Sequence, residues 1–349
     1  FFDTFCLLDP KPYDCFRNGL IFDSYVSVRS PRGKTHHNLK GNPKRLMFFW
    51  VLFVFAAFAT FATSSARASV DAQVALGWGY YCAIVPGTGR VKCWGSNYDG
   101  VLGDGNQDTV VESTAGDDMP FVDLGTGMDG QVASISMKYR HICALSTEGK
   151  IKCWGYGVTG ALGYGNTDTI GTAPGQMGDA LPFVDVGTGR TARSVVTGDG
   201  FTCAILDTDQ LVCWGDSDFS KLGTGDNSFH GNFPGTMGDN LIPVSFPGGV
   251  GVSQVSTGNR HTCAILLNGN VHCFGSNNYG VLGMGSTVAA FGSNATAMGD
   301  NFPLTDVGGT PRNITCGASI TCVILEGDGS VRCFGHNNVG QLGDGTTVD

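Results

Sequence analysis

The sequence predicts an all-β fold, a β-propeller of four-stranded blades, and three observations carry that reading. A cysteine-centred phrase returns five times, at Cys82, Cys143, Cys203, Cys263 and Cys322, at steps of 61, 60, 60 and 59 residues. A fixed period of that length marks stacked supersecondary units. Within each unit, short runs of strand-forming residues are separated by turn signals and not by helical stretches. Composition agrees: 54 of the 349 residues are Gly and only 15% are charged, which suits short strands joined by tight turns.

The second unit shows the elements in order. Ala133–Met137 and His141–Leu145 are strand-like runs, and Thr147-Glu148-Gly149 forms a three-residue hairpin loop with Gly supplying the positive φ. Lys150–Trp154 alternates as the returning strand. Gly155–Gly165 is a glycine-punctuated loop, and Leu181–Val186 (LPFVDV) reads as a fourth strand. Four strands per repeat favour a propeller over a sandwich. Five such units occupy residues 69–349, and the fifth stops before its last strand. We expect about five blades that form part of a larger ring, the alternative being that Ser69–Leu76 closes the ring by completing the last blade.

The cysteines test the hairpin. Folding residues 143–153 around the three-residue loop sets Ser146 against Lys150, Leu145 against Ile151, and Cys143 against Cys153. Where the loop is one residue longer (PGTG or EGDG), Cys82 still meets Cys93 and Cys322 still meets Cys333. Directly opposed residues in an antiparallel pair lie within the span a disulfide bridges. The register therefore predicts five cross-strand disulfides: Cys82–Cys93, Cys143–Cys153, Cys203–Cys213, Cys263–Cys273 and Cys322–Cys333. Zinc would want close CxxC pairs or His partners, which this spacing lacks. Cys316 stands where other units carry Met137, Thr197 and Thr257, and reads as a free buried thiol. Cys6 and Cys15 lie upstream of the repeats.

Disulfides persist in oxidising compartments, and the N-terminal region gives an independent reason for export. Met47–Thr63 (MFFWVLFVFAAFATFAT) is uncharged, follows Lys44-Arg45, and precedes SSARAS with an Ala66-x-Ala68 cleavage site. Residues 47–68 have the pattern of a signal peptide. If uncleaved, the segment would anchor the chain, and the six basic residues from Arg29 to Arg45 would hold the N-terminus inside. Either way the repeats lie outside the cytosol. Residues 1–46 show no period and contain no Met; we read them as a tail without fold upstream of the true start, with a short cytoplasmic tail as the alternative.

Charge excludes one class of partner. Residues 69–349 carry twelve Lys/Arg against 26 Asp/Glu, a net charge of −14. Nucleic acid is bound through clustered Lys and Arg, which this region does not supply. Other motifs are weak. Gly125-Thr-Gly127-Met-Asp-Gly130 matches GxGxxG, but a strand pattern follows where a dinucleotide site needs a helix. No GxSxG, HExxH or Walker sequence occurs. His141 and His261 share one repeat position, but Thr202 or Tyr81 neighbours the cysteine in other units, so they read as structural.

Two periodic sets need weighing. Trp94, Trp154, Trp214, Phe274 and Phe334 occupy one position and could ring a ligand; aromatic bulk at that period reads better as packing between blades. Asp118, Asp179, Asp239 and Asp300 each precede a proline-containing strand and could offer oxygens to calcium. The competing reading is that each carboxylate caps its own turn, and a ring spaces the copies too widely to share one ion. Asp104-Gly-Asn106-Gln-Asp108 lacks the distal Glu of a calcium loop. We expect no metal and no cofactor. Asn294-Ala-Thr296 and Asn313-Ile-Thr315 are glycosylation sequons.

The phrase H-x-C-A-L-x-x-x-G-x-x-x-C-W-G, followed by N-x-x-G-x-L-G, resembles the repeat of the regulator-of-chromosome-condensation family. It stands here as HTCAILLNGNVHCFGSNNYGVLGMG from His261 and TCVILEGDGSVRCFGHNNVGQLGDG from Thr321, and the resemblance runs from Val70 to the C-terminus. It implies a propeller, usually a seven-bladed ring of which about five blades are present here, and, through the name-giving members, guanine-nucleotide exchange on a small GTPase and chromatin binding. Other members are protein-binding surfaces. This chain departs from the nuclear type in its paired cysteines, its export signal and its lack of a basic tail after the apolar segment, and no residue accepts an exchange role. The expectation is a monomeric, non-catalytic extracellular propeller whose loops bind a protein or surface glycan, touching a membrane only through residues 47–63. A regulatory exchange factor is the alternative.

Overall fold

The computed structural model describes residues 73–109, 118–285 and 289–349. The tail, the apolar run and the Ala66-x-Ala68 site expected from the sequence lie outside the described residues. Five antiparallel sheets follow one another along the chain, each built from consecutive strands. Unit 1 contains β1 (Gln73–Leu76), β2 (Tyr80–Val85) and β3 (Arg90–Gly95). Unit 2 contains β4 (Val132–Lys138), β5 (His141–Ser146) and β6 (Ile151–Gly155). Unit 3 contains β7 (Ala192–Thr197), β8 (Phe201–Leu206) and β9 (Leu211–Gly215). Unit 4 adds a fourth strand: β10 (Val252–Thr257), β11 (His261–Leu266), β12 (Val271–Ser276) and β13 (Ala290–Phe291). Unit 5 contains β14 (Pro311–Cys316), β15 (Ile320–Leu325) and β16 (Val331–Gly335).

The predicted register is the observed one. Leu145 pairs with Ile151 and Cys143 with Cys153, while Ser146 N–H donates to the Lys150 carbonyl at 2.8 Å. The longer loops of units 1 and 5 leave Cys82 opposite Cys93 and Cys322 opposite Cys333.

Leu181–Val186 is a correction. It is not a laddered strand but half of a split one. Beside β6 the chain first bridges Gly155 with Ile170, leaves for a loop, and returns so that Val184 N–H donates to the Ile151 carbonyl at 2.9 Å. Units 3 and 4 repeat the split, with Gly215–His230 then Val244 to Leu211, and Gly275–Phe291 then Thr305 to Val271. Pro182, Pro243 and Pro303 open the returning half. Proline has no N–H to add to a ladder, which confines that half to the sheet edge.

The sheets stack face to face. β5, β8 and β11 are buried at all six positions, as strands covered on both faces should be. β2 and β15, in the first and last described sheets, are only partly buried. From unit 2 onward, the aromatic at the end of the third strand packs into the preceding unit. Trp154 and Trp214 are fully buried, and their indole N–H groups donate to the carbonyls of Val101 and Ala161 at 2.9 and 3.0 Å. In units 1 to 4 the Gly that follows the loop Leu (Gly103, Gly163, Gly223 and Gly283) makes room for the aromatic of the next unit. A Cβ on Gly163 (φ +78°) would lie 2.7 Å from the Trp214 indole nitrogen, and one on Gly223 would meet the Phe274 ring at 2.6 Å. Trp154, Trp214, Phe274 and Phe334 are therefore inter-blade packing, while Trp94 stacks on Tyr81 of its own unit.

The first strand of each unit lies innermost, and side chains lace these strands together. Gln73 exchanges two hydrogen bonds with the Ile135 backbone at 2.8 and 2.9 Å, Ser136 Oγ accepts from Thr197 N–H, and Ser256 Oγ accepts from Cys316 N–H. Lys138 spans the middle: its ammonium donates to the carbonyls of Thr257 and Cys316, two and three units away. Burial holds its pKa below the usual lysine range.

Candidate interaction rim

The first-to-second strand turns and the loops that follow the third strands gather on one rim. In units 1, 4 and 5 the buried side chains of Asn97, Asn277 and Asn337 fold those loops, each Oδ1 accepting from the N–H of Leu102, Leu282 or Leu342 at 2.9–3.1 Å. Turning the Asn inward turns its followers outward. One large apolar residue per unit stands exposed there: Tyr98, Val158, Phe219, Tyr279 and Val339, at 42–77% exposure. Trp78 (74% exposed) and Tyr139 extend the row from neighbouring turns, their rings stacked 5.9 Å apart.

Three of these aromatics hold left-handed backbone: Tyr139 (φ 58°), Phe219 (φ 62°) and Tyr279 (φ 66°). That conformation costs a bulky L-residue roughly 1–2 kcal/mol, and Gly or Asn would adopt it more cheaply. An aromatic kept there in spite of the strain, and left in solvent, points to a role for the side chain itself.

Charges brace the row between units. Arg140 forks onto Asp99 (Nε to Oδ2 2.6 Å, Nη2 to Oδ1 2.5 Å) and lies 4.1 Å over the Tyr156 ring. Arg260 sits 4.7 Å over Phe219, and His336 lies 3.9 Å from Tyr279. Buried Lys221 donates to Asp216 Oδ2 at 2.6 Å and to the Asp199 carbonyl at 3.0 Å. Burial raises the Asp199 carboxyl, and the Lys221 charge opposes that rise.

On the opposite rim three of the four periodic aspartates have partners, and for these three the expectation that each caps its own turn is corrected. Asp179 Oδ1 accepts from Thr126 N–H and Oγ at 2.7 and 3.0 Å, Asp239 from Thr188 N–H and Oγ at 2.7 Å each, and Asp300 from Gly248 N–H at 2.7 Å. Each thus caps the turn of the preceding unit. Hydrogen bonds from Thr188 hold the Asp239 carboxyl below its usual range. These carboxylates latch blades together in pairs and do not converge.

The five predicted cysteine pairs stand at disulfide distance, with Sγ–Sγ 1.99–2.15 Å and Cα–Cα 4.1 Å. Cys316 is a buried free thiol. Asn294 and Asn313 are exposed, and Asn294 Oδ1 accepts from Thr296 Oγ at 2.8 Å. His141 and His261 are buried between units, bonded to Thr202 and Thr321 of the next blade at 2.9 and 3.0 Å. Burial lowers their pKa values to about 4 and about 3. The His261 ring and the sulfurs of Cys263 and Cys316 lie within 4.8 Å of one another, but Cys263 is already paired with Cys273. Among the described residues, no helix is long and apolar enough to cross a membrane.

Sequence reasoning missed the exposed apolar row. Its signal was present, one apolar residue in each loop after the third strand, but loop position hid which way it would face; the buried Asn that sets this in units 1, 4 and 5 is replaced by Gly157 and Ser217 in units 2 and 3.

The sheet order, the inter-unit packing and the converging inner strands define a β-propeller repeat protein. The chain belongs to the regulator of chromosome condensation (RCC1) repeat family, whose models match residues 72–101, 132–160, 192–220, 252–281 and 312–341, and also 209–265. It is 26% identical to the ultraviolet-B receptor UVR8 of Arabidopsis thaliana over 268 residues, 75% of this chain and 53% of that protein. It is 28% identical to the probable E3 ubiquitin-protein ligase HERC4 of Homo sapiens over 63% of this chain and 19% of that protein. The chain thus spans about half of the first relative and a fifth of the second. Among solved structures, Prp20p of Saccharomyces cerevisiae, described with its binding to Gsp1p and histones, superposes with a TM-score of 0.55 at 15% identity, covering 79% of this chain and 60% of that one. Human WBSCR16 gives 0.54 at 18%, covering 73% and 57%. These likenesses show the fold.

Proposed function

We propose that this propeller is an extracellular, non-catalytic scaffold that binds a protein partner through its aromatic rim. The carrying observation is the set Tyr98, Val158, Phe219 and Tyr279, one in each of units 1 to 4, with Tyr139 and Trp78, all exposed and three of them in left-handed backbone. Aromatic side chains carry much of the contact energy at protein interfaces. Prp20p, of like fold, is described as binding Gsp1p and histones, which supports a protein as the ligand class, with a surface glycan as the alternative. The five cysteine pairs, read as oxidised disulfides, support an extracellular site. Residues 47–68 are the proposed export signal, and Asn294 and Asn313 the proposed glycan acceptors.

The test uses the full chain expressed for secretion and incubated with intact cells. Phe219→Asn and Tyr279→Asn together keep residues that tolerate left-handed backbone, so the fold is preserved. We expect saturable, protease-sensitive binding by the parent and a loss of roughly tenfold or more in the double variant, given hot-spot aromatics of about 2 kcal/mol. Equal binding by both proteins overturns the rim. Loss of binding after glycosidase instead of protease moves the ligand to glycan, and nucleotide release from a small GTPase by the purified protein favours the exchange-factor alternative.

A further inference from the structure

The free thiol of Cys316 is not isolated. Its sulfur lies within 4.8 Å of Cys263 Sγ and of the His261 ring, in a fully buried cluster at the junction of units 4 and 5. The Thr321 hydroxyl is the hub, touching Cys316 Sγ at 3.9 Å, Cys263 Sγ at 3.8 Å and His261 Nε2 at 3.0 Å. On its other side Cys263 is joined to Cys273 at 2.12 Å. Three sulfur atoms thus meet in one place: a thiol and both halves of a disulfide.

We propose that Cys316 exchanges with the Cys263–Cys273 disulfide, converting a bridge within one hairpin into a bridge between two blades. The inference rests on the reading of Cys263–Cys273 as oxidised. The Cys316 thiolate attacks Cys263 Sγ, the Cys263–Cys273 bond breaks as the Cys316–Cys263 bond forms, and the departing Cys273 thiolate takes up the proton that Cys316 lost. One thiol and one disulfide enter and one of each leaves, so no external oxidant or reductant is required. Burial pushes the Cys316 thiol up, while the Lys138 ammonium, bonded to the Cys316 carbonyl, favours the thiolate. Exchange is therefore slow near neutrality and faster in mild alkali.

The consequence is local. The original bond ties β11 to β12 inside unit 4, whereas the exchanged bond ties β11 to β14, the innermost strand of unit 5. Other units carry Met137, Thr197 and Thr257 at this position. Among the described units, only this junction can be stapled in this way.

The experiment uses the full chain, held without reductant at pH 7 or pH 8.5, then acid-quenched, unfolded, alkylated and mapped by mass spectrometry. We expect the label to divide between Cys316 and Cys273, with a linked Cys263–Cys316 peptide growing at pH 8.5. Label confined to Cys316 at both pH values overturns the exchange while leaving the oxidised pair intact. Label on Cys263, Cys273 and Cys316 together overturns both the exchange and the oxidised reading beneath it. A Cys273→Ser variant gives a second measurement: Cys263 and Cys316 are expected to pair with each other on air oxidation, and two persistent free thiols there overturn the proposal.

Discussion

His141 shows how a single side chain binds one blade to the next and makes the join sensitive to acid. The Thr202 hydroxyl donates to the Ala161 carbonyl at 2.9 Å, so its contact with His141 Nε2 requires the imidazole to be the donor there. The ring is thereby fixed as the neutral Nε2–H tautomer. Adding a proton would place a charge in a site that is 1% exposed, and burial accordingly lowers the pKa to about 4. The folded value lies below the unfolded one of 6.5, so between pH 6.5 and 4 the unfolded chain binds a proton that the folded chain refuses. Stability is full above pH 6.5 and falls with pH through that window, by about 3 kcal/mol from this residue at pH 4. Urea unfolding at pH 7.5, 5.5 and 4.5 is expected to show a steeper acid decline in the parent than in His141→Gln, which keeps a donor to Thr202 and cannot titrate. Parallel declines in the two proteins would reject this account.

At the scale of the element, the repeat phrase is a description of contacts between neighbours. The C-[WF]-G end of one unit and the G-x-L-G of the unit before it are two halves of one joint, since Trp214 occupies the space that a Gly163 side chain would need. Gly163→Ala adds a methyl 2.7 Å from the indole nitrogen at φ +78°, combining overpacking with left-handed strain. The expected loss is roughly 2–4 kcal/mol, measured by chemical unfolding, and a loss no greater than at exposed Gly189 would reject the joint. The hairpins and their register were legible because period-two patterning and loop length fix both locally. The fourth strand was not: Ile170 and Val184 lie fourteen residues apart in sequence but sit along the same edge of β6, and only tertiary structure brings them there. The latches were half legible. A recurring Asp was visible, but the turn that donates to it lies more than fifty residues earlier, as in Thr188 for Asp239.

Across the whole molecule, position in the stack decides how well each cysteine pair is protected. The sulfur pairs of units 2, 3 and 4 belong to cysteines with 0% exposure, enclosed by sheets on both faces. Cys82 and Cys93, in the first described sheet, are buried at 0% and 7%, whereas Cys322 and Cys333 in the last are only half-buried. If the five pairs are oxidised, a reductant attacks them in an order set by access and not by bond strength. Sequence separations of 10 or 11 residues give the pairs similar intrinsic worth, about 2–3 kcal/mol each by chain entropy. Brief treatment of the native full chain with limiting phosphine, followed by alkylation and peptide mapping, is expected to label Cys322 and Cys333 first. Cys82 and Cys93 should follow, and the three central pairs only as the fold opens. Once the central pairs go, cooperative loss of the stack should appear as a fall in thermal midpoint much larger than that caused by the terminal pair. Simultaneous labelling of all five pairs would mean that the sheets open together before any sulfur is reached, and layered protection by neighbouring blades would then be the wrong description of this molecule.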